Sequence, residues 1–286
     1  MQGRCGKVIS DITFGQFIDT GSFMHRLDPR SKLLLLITYI VFIFIAGNFL
    51  SMALLCLLLG LAMALSKVPL KMYLKNIKTI LPIIILTSLL NMLYTDGGRV
   101  LVDWWIFTVT TGGIYRAVFM TVRILLLILS SAVLSYSTSP TSLTGAIESL
   151  LKPLKVIGLG NAVHTMAMTM TIALRFIPTL IEETQKIMNA QKARGADLDS
   201  GNLVKKVKAL LPILIPLLIS SVRRAYELAE AMECRCYSGG DGRTKFRIMK
   251  YSMKDLLAAV ISCAVFAGSV VINIFYSQII SLIPFM

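Results

Sequence analysis

Two arginines stand out among the residues that could do chemistry here, because of how each is set in the chain. Arg194 closes the run EETQKIMNAQKAR and is followed by Gly195, with Ala193 before it. Arg235 closes AYELAEAMECR, lies between Cys234 and Cys236, and is followed by Gly239-Gly240. Both stretches carry apolar residues at helical spacing and end at small residues, which predicts two long helices, each with an arginine on its last turn. An arginine there complements the helix dipole, an effect of ~0.3–1 kcal/mol. Its planar fork of donors also suits a carboxylate-lined groove, a role that lysine fills poorly. The recurrence of the same device favours the second reading. The two arginines are too far apart in sequence for one site, so two receiving grooves are expected.

Other chemistry finds little support. Cys234-x-Cys236 is a bare pair of thiols, and the only histidines are His25 and His164, so no zinc site and no other metal site is expected. Two thiols around an arginine could be redox-sensitive or could simply be small residues that allow close packing. The GGDGRTK stretch at 239–245 fails the spacing of a phosphate-binding loop, so ATP binding by this chain is not expected. Neither a nucleophile beside a base nor paired carboxylates in the apolar runs can be found, which predicts a chain that is not an enzyme and carries no cofactor. In HRLDPRSK, which holds His25, Asp28 and Arg30, Asp28-Pro29 reads as a helix start, and the motif as a structural one that fixes the first apolar segment to the cytoplasmic domain of residues 138–252.

The elements that must position these residues are those of a membrane protein. Of 286 residues 56% are hydrophobic and 15% charged, and the mean hydropathy is +0.75, far above a soluble domain. The net charge of +14 therefore points to a membrane surface or acidic partners rather than nucleic acid. Five cysteines at scattered spacings give no disulfide framework. Residues 1–32 are polar and lack a secretory leader pattern. Leu33 to Leu65 runs without a charge and is too long for one span, so a hairpin broken at Gly47-Asn48 is expected, with arms Leu33–Ala46 and Phe49–Leu65. Further spans are expected over Thr79–Tyr94, Ile114–Tyr136 and Leu256–Ile283. Lys67, Lys71, Lys75 and Lys78 fall at interfacial-helix spacing ahead of the third.

Between the fourth and fifth spans, residues 138–252 read as a domain of long one-sided helices. A short helix is expected over Pro140–Lys155, ended by Gly158 and Gly160, and a second over Ala162–Arg194, capped by Asn161 and kinked or broken at Pro178. A third follows Lys205, Lys206 and Lys208 and carries two prolines. Met166, Met168, Met170 and Met188 suit either packing or a shifting partner. Lysine and arginine number 5 in residues 1–32, 4 in 67–78 and 16 in 138–252, against Arg99 alone in the 95–113 loop. The positive-inside rule then puts the N-terminus and 138–252 in the cytoplasm. Trp104, Trp105 and Tyr115 fit an outer aromatic belt, and Arg116 and Arg123 lie where they can snorkel to headgroups. The expectation is an all-α membrane protein of about five transmembrane helices: an N-terminal segment (1–32), four helices (33–137), cytoplasmic coupling helices (138–252) and a final span (253–286).

GQFIDTGSFMHRLDPRSKLLLL, RFIPTLIEETQKIMNAQKARGADL and AYELAEAMECRCYSGGDGRTKF together resemble the transmembrane T component (EcfT type) of energy-coupling factor transporters, over nearly the whole chain. Ala193-Arg194-Gly195 is similar to the first of that family's two Ala-Arg-Gly signatures. Arg235 matches the arginine of the second, where Cys234 and Cys236 replace the alanine and glycine. The resemblance implies a multi-pass subunit in the bacterial plasma membrane that assembles with two ABC-type ATPases and a small substrate-binding S component taking a vitamin or other micronutrient. ATP and Mg would be bound by the ATPases. It also implies that Arg194 and Arg235 dock into grooves on those ATPases, with Ala193 and Gly195 permitting the approach. A membrane scaffold, or a secondary transporter or channel without ATPases, is the alternative. The second of these would want acidic residues within the spans, and the expected spans hold none apart from Asp255 at an end.

Overall fold

The computed structural model describes residues 17–282 apart from 19, 95–96, 98–99, 105–106, 159, 197–202 and 240–250. The expectations for residues 1–16, for Trp105 and for the 240–245 part of the GGDGRTK stretch lie outside the described residues. The side chains of Trp104, Lys205 and Lys206 lie outside them too. The chain divides into two units, Phe17–Ser139 with Ile248–Met286, and Met1–Gln16 with Pro140–Arg247.

The first unit holds five of the eight described helices: α1 (Pro29–Ile45), α2 (Phe49–Ser66), α3 (Leu70–Tyr94), α4 (Thr111–Ser137) and α8 (Met253–Leu282). Between α3 and α4, strands β1 (Val100–Trp104) and β2 (Phe107–Thr110) pair antiparallel, an addition to the helical pattern expected from sequence. Asp28 caps α1 by accepting the Arg30 N–H at 2.9 Å, and Pro29 occupies the first helical position, where its missing N–H costs nothing. The helix stops before Gly47-Asn48, as the hairpin reading expects. Ile43, Met52, Leu55, Tyr73, Leu126, Val133, Tyr136 and Phe266 form the core. Leu34, Ile37, Val41, Phe44, Leu57, Leu61, Ile83 and Leu86 face outward, the arrangement a chain adopts when its solvent is hydrocarbon.

Two expectations around the third span are corrected. The lysine run and the third span are one continuous helix, α3, because nothing breaks the backbone between Leu70 and Pro82, and the proline itself is absorbed. Lys67 is not on that helix: it ends α2 in the left-handed conformation, with φ of 53°. α1 has 17 residues, roughly 26 Å of helix against a hydrocarbon thickness of about 30 Å. Five described segments are long and apolar enough to cross a membrane: Phe49–Ser66, Leu70–Tyr94, Thr111–Ser137, Met253–Phe275 and Lys208–Glu233. The last lies in the second unit, where the run from Ala209 to Val222 is uninterrupted by charge.

The HRLDPRSK motif, expected to fix the first span to the cytoplasmic domain, makes its described hydrogen bonds within the first unit instead, where it joins α1 to the last helix and to the end of α4. The Asp28 N–H donates to Asp255 Oδ1 at 2.8 Å, and Asp255 Oδ2 accepts the Ser252 N–H at 2.7 Å, which closes the first turn of α8. Lys32, buried, donates to the Ser137 carbonyl at 2.8 Å. His25 is held by Ser22 Oγ at 2.7 Å and donates from Nε2 to the Ile18 carbonyl at 2.6 Å.

Arg123 has a part that the snorkelling expectation missed. Its Nη2 donates to the Ala46 carbonyl at 2.8 Å, and its guanidinium lies 4.8 Å from the Phe119 ring centre. Asn273 Nδ2 donates to the Ile45 carbonyl at 3.3 Å, and Asn273 Oδ1 accepts from Asn48 at 3.0 Å. The carbonyls freed where α1 ends are thus covered by side chains from α4 and α8, as an apolar setting demands. Arg116 is exposed, as snorkelling requires.

Candidate functional site

The second unit is built from α5 (Pro140–Leu150), a 3₁₀ turn (Lys152–Ile157), α6 (Gly160–Ala193) and α7 (Leu203–Glu233). The first helix is thus shorter than expected, its tail tightening into the 3₁₀ turn before Gly158, whose φ is +82°. Asn161 lies inside α6 rather than capping it, since the helix already begins at Gly160. His164 Nδ1 lies 3.5 Å from Glu148 Oε1 and ties α6 to α5.

Neither long helix is broken by its prolines. α6 runs through Pro178 and α7 through Pro212 and Pro216. A proline leaves the carbonyl four residues earlier without its intrahelical donor. For Pro216 that carbonyl belongs to Pro212, and Gln191 Nε2 of α6 donates to it at 3.4 Å. The neighbouring helix thus makes good what the proline removed.

Three contacts fix how α6 and α7 run. Gln191 meets Pro212, Glu183 accepts from Arg224 at 2.5 Å, and the Tyr237 hydroxyl donates to the Met168 sulfur at 2.9 Å. As one residue number rises the other falls by nearly the same amount, so the helices are antiparallel and in constant register. Between them lies a cavity of about 520 Å³, lined by Ile172, Phe176 and Leu180 on one side and Ala225, Leu228 and Ala229 on the other. Met188 is buried and Met168 is engaged by Tyr237, so packing accounts for both, whereas Met166 and Met170 are exposed.

The antiparallel course separates the two arginines. Carried along, the register sets the tip of α6 level with Leu211 of α7 and the tip of α7 level with Met170 of α6, roughly 35 Å apart along the pair at 1.5 Å per residue. Both ends have the same hydrogen-bond pattern. At α6 the Gly195 N–H donates to the Lys192 carbonyl and the Ala196 N–H to the Gln191 carbonyl, both at 3.0 Å. At α7 the Cys236 N–H donates to the Glu233 carbonyl at 2.8 Å and the Tyr237 N–H to the Met232 carbonyl at 3.1 Å. These are paired Schellman caps. Gly195 takes the left-handed position at φ of +87° and Cys236 takes it at +54°.

Arg194 and Arg235 therefore hold the same place, the residue between the last helical turn and the left-handed one. Ala193 corresponds to Cys234 and Gly195 to Cys236. All six residues are exposed. The cysteines that interrupt the second signature leave its backbone shape unchanged. The sequence could not show this, because glycine is the usual residue at a left-handed cap and its absence reads as a different ending. Among the described residues no three His, Cys, Asp or Glu side chains gather as metal ligands.

Known proteins of the same kind are extensive matches. The family model CbiQ, described as cobalt transport protein, matches residues 20–246. The energy-coupling factor transporter transmembrane protein EcfT of Acidaminococcus fermentans is 49% identical over 259 residues, covering 91% of this chain and 96% of that protein. The protein of the same name from Clostridium kluyveri is 45% identical over 272 residues, 95% of this chain and 100% of its own length. EcfT 1 of Listeria monocytogenes is 40% identical over 266 residues, 93% and 99% of the two chains. A likeness running end to end through the apolar helices and through both arginine-tipped helices makes this chain a multi-pass membrane protein that belongs to the family of energy-coupling factor transporter transmembrane proteins.

Proposed function

We propose that this chain is the coupling subunit of an ATP-driven importer in the bacterial plasma membrane, linking two ABC-type ATPases to an S component that captures a vitamin or other micronutrient. Arg194 and Arg235 are the ATPase-docking residues, each entering a carboxylate-lined groove on one ATPase. The observation that carries this reading is the duplication of one presentation: the same exposed arginine on the same cap at both ends of an antiparallel pair. One dipole-complementing arginine needs no such copy. Two docking points facing away from each other suit two copies of a like partner. Ala193 and Gly195 keep the first approach free of bulk, and Cys234 and Cys236 flank the second. ATP and Mg belong to the partner subunits, and the chain acts without a cofactor, metal or catalytic residue of its own.

The lysines and arginines of 67–78 and 138–252 mark the cytoplasmic side. α7 has an exposed apolar stretch that includes Leu211, Leu214, Ile215, Leu218 and Ile219, preceded in sequence by Lys205, Lys206 and Lys208 and followed by charge from Arg223 onward. It suits a helix lying at the membrane boundary with its charged ends in water. The test is purification of the tagged chain from native membranes in mild detergent, with the co-purifying proteins identified by mass spectrometry. Two ABC-type ATPases with one or more small membrane proteins are expected. Recovery of the chain without any ATPase would refute the coupling role.

A further inference from the structure

The two ends share one backbone but differ in what surrounds the arginine: alanine and glycine at one, two thiols at the other. Cys234 and Cys236 are both free and both exposed. Cys236 stands in a left-handed conformation where cysteine is strained by roughly 1–2 kcal/mol and glycine is not. Cys234 and Cys236 are the chain neighbours of Arg235 on either side, and both lie past the last helical residue, Glu233, so each thiol is a separate target next to the arginine. The guanidinium between them attracts anions, at a distance shorter than the Debye length of about 8 Å at physiological salt.

We infer that Cys234 and Cys236 make the second docking tip a thiol-modification site for anionic low-molecular-weight disulfides, and that capping them blocks docking at Arg235 while Arg194 is untouched. The inference rests on the docking reading above. In the reaction the cysteine thiol gives up its proton and its sulfur attacks one sulfur of the small disulfide. One S–S bond forms as another breaks, and the released thiolate takes the proton, so that protein thiol plus RSSR gives mixed disulfide plus RSH. The small disulfide is the oxidant and no other reactant is needed. The attached group adds bulk next to the arginine and places negative charge beside it, which competes with an acidic groove for the same donors.

The test uses the full chain in its native membranes, with Cys5, Cys56 and Cys263 replaced by serine so that only Cys234 and Cys236 react. One portion is treated with the anionic reagent sulfonatoethyl methanethiosulfonate, one with neutral methyl methanethiosulfonate and one is left untreated. The ATPases that co-purify are then quantified, and the mass of the peptide holding residues 234 and 236 is read. The anionic reagent is expected to label that peptide and lower the captured ATPase on the order of tenfold, as loss of a charge-paired contact does. The neutral reagent should label it with at most a twofold loss. A further Cys234→Ala/Cys236→Gly chain should not be labelled at that peptide, and the ATPase it captures should be the same with either reagent as without. Labelling without loss of ATPase, or no labelling even after the ATPases are stripped with salt, would overturn the inference. An untreated chain that captures no ATPase would remove the docking reading and this inference with it, and the untreated portion tells that failure from the others.

Discussion

Gly195 and Cys236 occupy equivalent positions, but only glycine adopts that conformation freely. Gly195→Ala should lower stability by roughly 1–2 kcal/mol. Cys236→Gly removes a similar strain, offset by ~0.4–1 kcal/mol from the greater freedom of glycine in the unfolded chain. A small rise in melting temperature is therefore expected there and a clear fall at Gly195, both followed by thermal denaturation in detergent. Equal losses at both positions would mean that the two caps are not equivalent. Arg123 poses a different residue-scale problem, because its donor serves a helix-end carbonyl in apolar surroundings. Arg123→Leu should cost about 1–3 kcal/mol for the carbonyl left unmet. Arg123→Lys keeps the charge and loses the planar contact with Phe119, so an intermediate melting temperature is expected. Arg116→Leu, at an exposed site, should change stability by less than about 0.5 kcal/mol.

The antiparallel register of α6 and α7 gives the prediction at the scale of elements. In a chain without its native cysteines, Phe176→Cys paired with Ala229→Cys should be joined by a short bis-maleimide, because both residues line the shared cavity at the same level. Phe176→Cys paired with Leu217→Cys should not, since the second partner is twelve residues, roughly 18 Å, farther along the helix. Cross-linking of both pairs in equal yield, read as a shift on a denaturing gel, would show that the helices slide. The helices were legible in the sequence wherever a local signal marks them: Asp28-Pro29 for the start of α1, Gly47-Asn48 for its turn, Gly195 for the end of α6. Signals that are not local were invisible. Asp28 reaches Asp255 across 227 positions, and no periodicity reports such a pairing. The lysines before Leu81 imitate a separate interfacial helix because charge pattern changes there while backbone preference does not. Pro178 suggested a kink or break because a local reading of proline cannot see the packing that carries a helix through it, just as the donor that covers the Pro212 carbonyl, freed by Pro216, sits on another helix. The candidate site was legible as two arginines, but their shared cap and opposed placement follow from backbone hydrogen bonds and register, which residue types do not encode.

At the scale of the whole molecule, the proposed role depends on two docking points that act separately. The tips are separated by roughly 35 Å along the helix pair, several times the Debye length of about 8 Å at physiological salt, so a change of charge at one tip is screened from the other. Nor do the two arginines share a hydrogen-bond partner among the described residues. Their effects on binding should therefore multiply. Arg194→Glu alone and Arg235→Glu alone are each expected to lower ATPase capture by the detergent-solubilised chain on the order of tenfold or more, by setting a carboxylate against an acidic groove. The double variant should capture none detectable, because the second contact no longer holds a partner near the first. Membrane insertion should be unchanged in all three, measured as the amount of chain in the carbonate-resistant membrane fraction, since both residues are exposed and cap no other element. If either single variant loses as much ATPase as the double, the arginines act as one composite contact. The case for two like grooves drawn from the paired caps then fails, even if the chain still binds an ATPase. If the double variant binds as the unaltered chain does, the arginines complement their helix dipoles and the docking surface lies elsewhere.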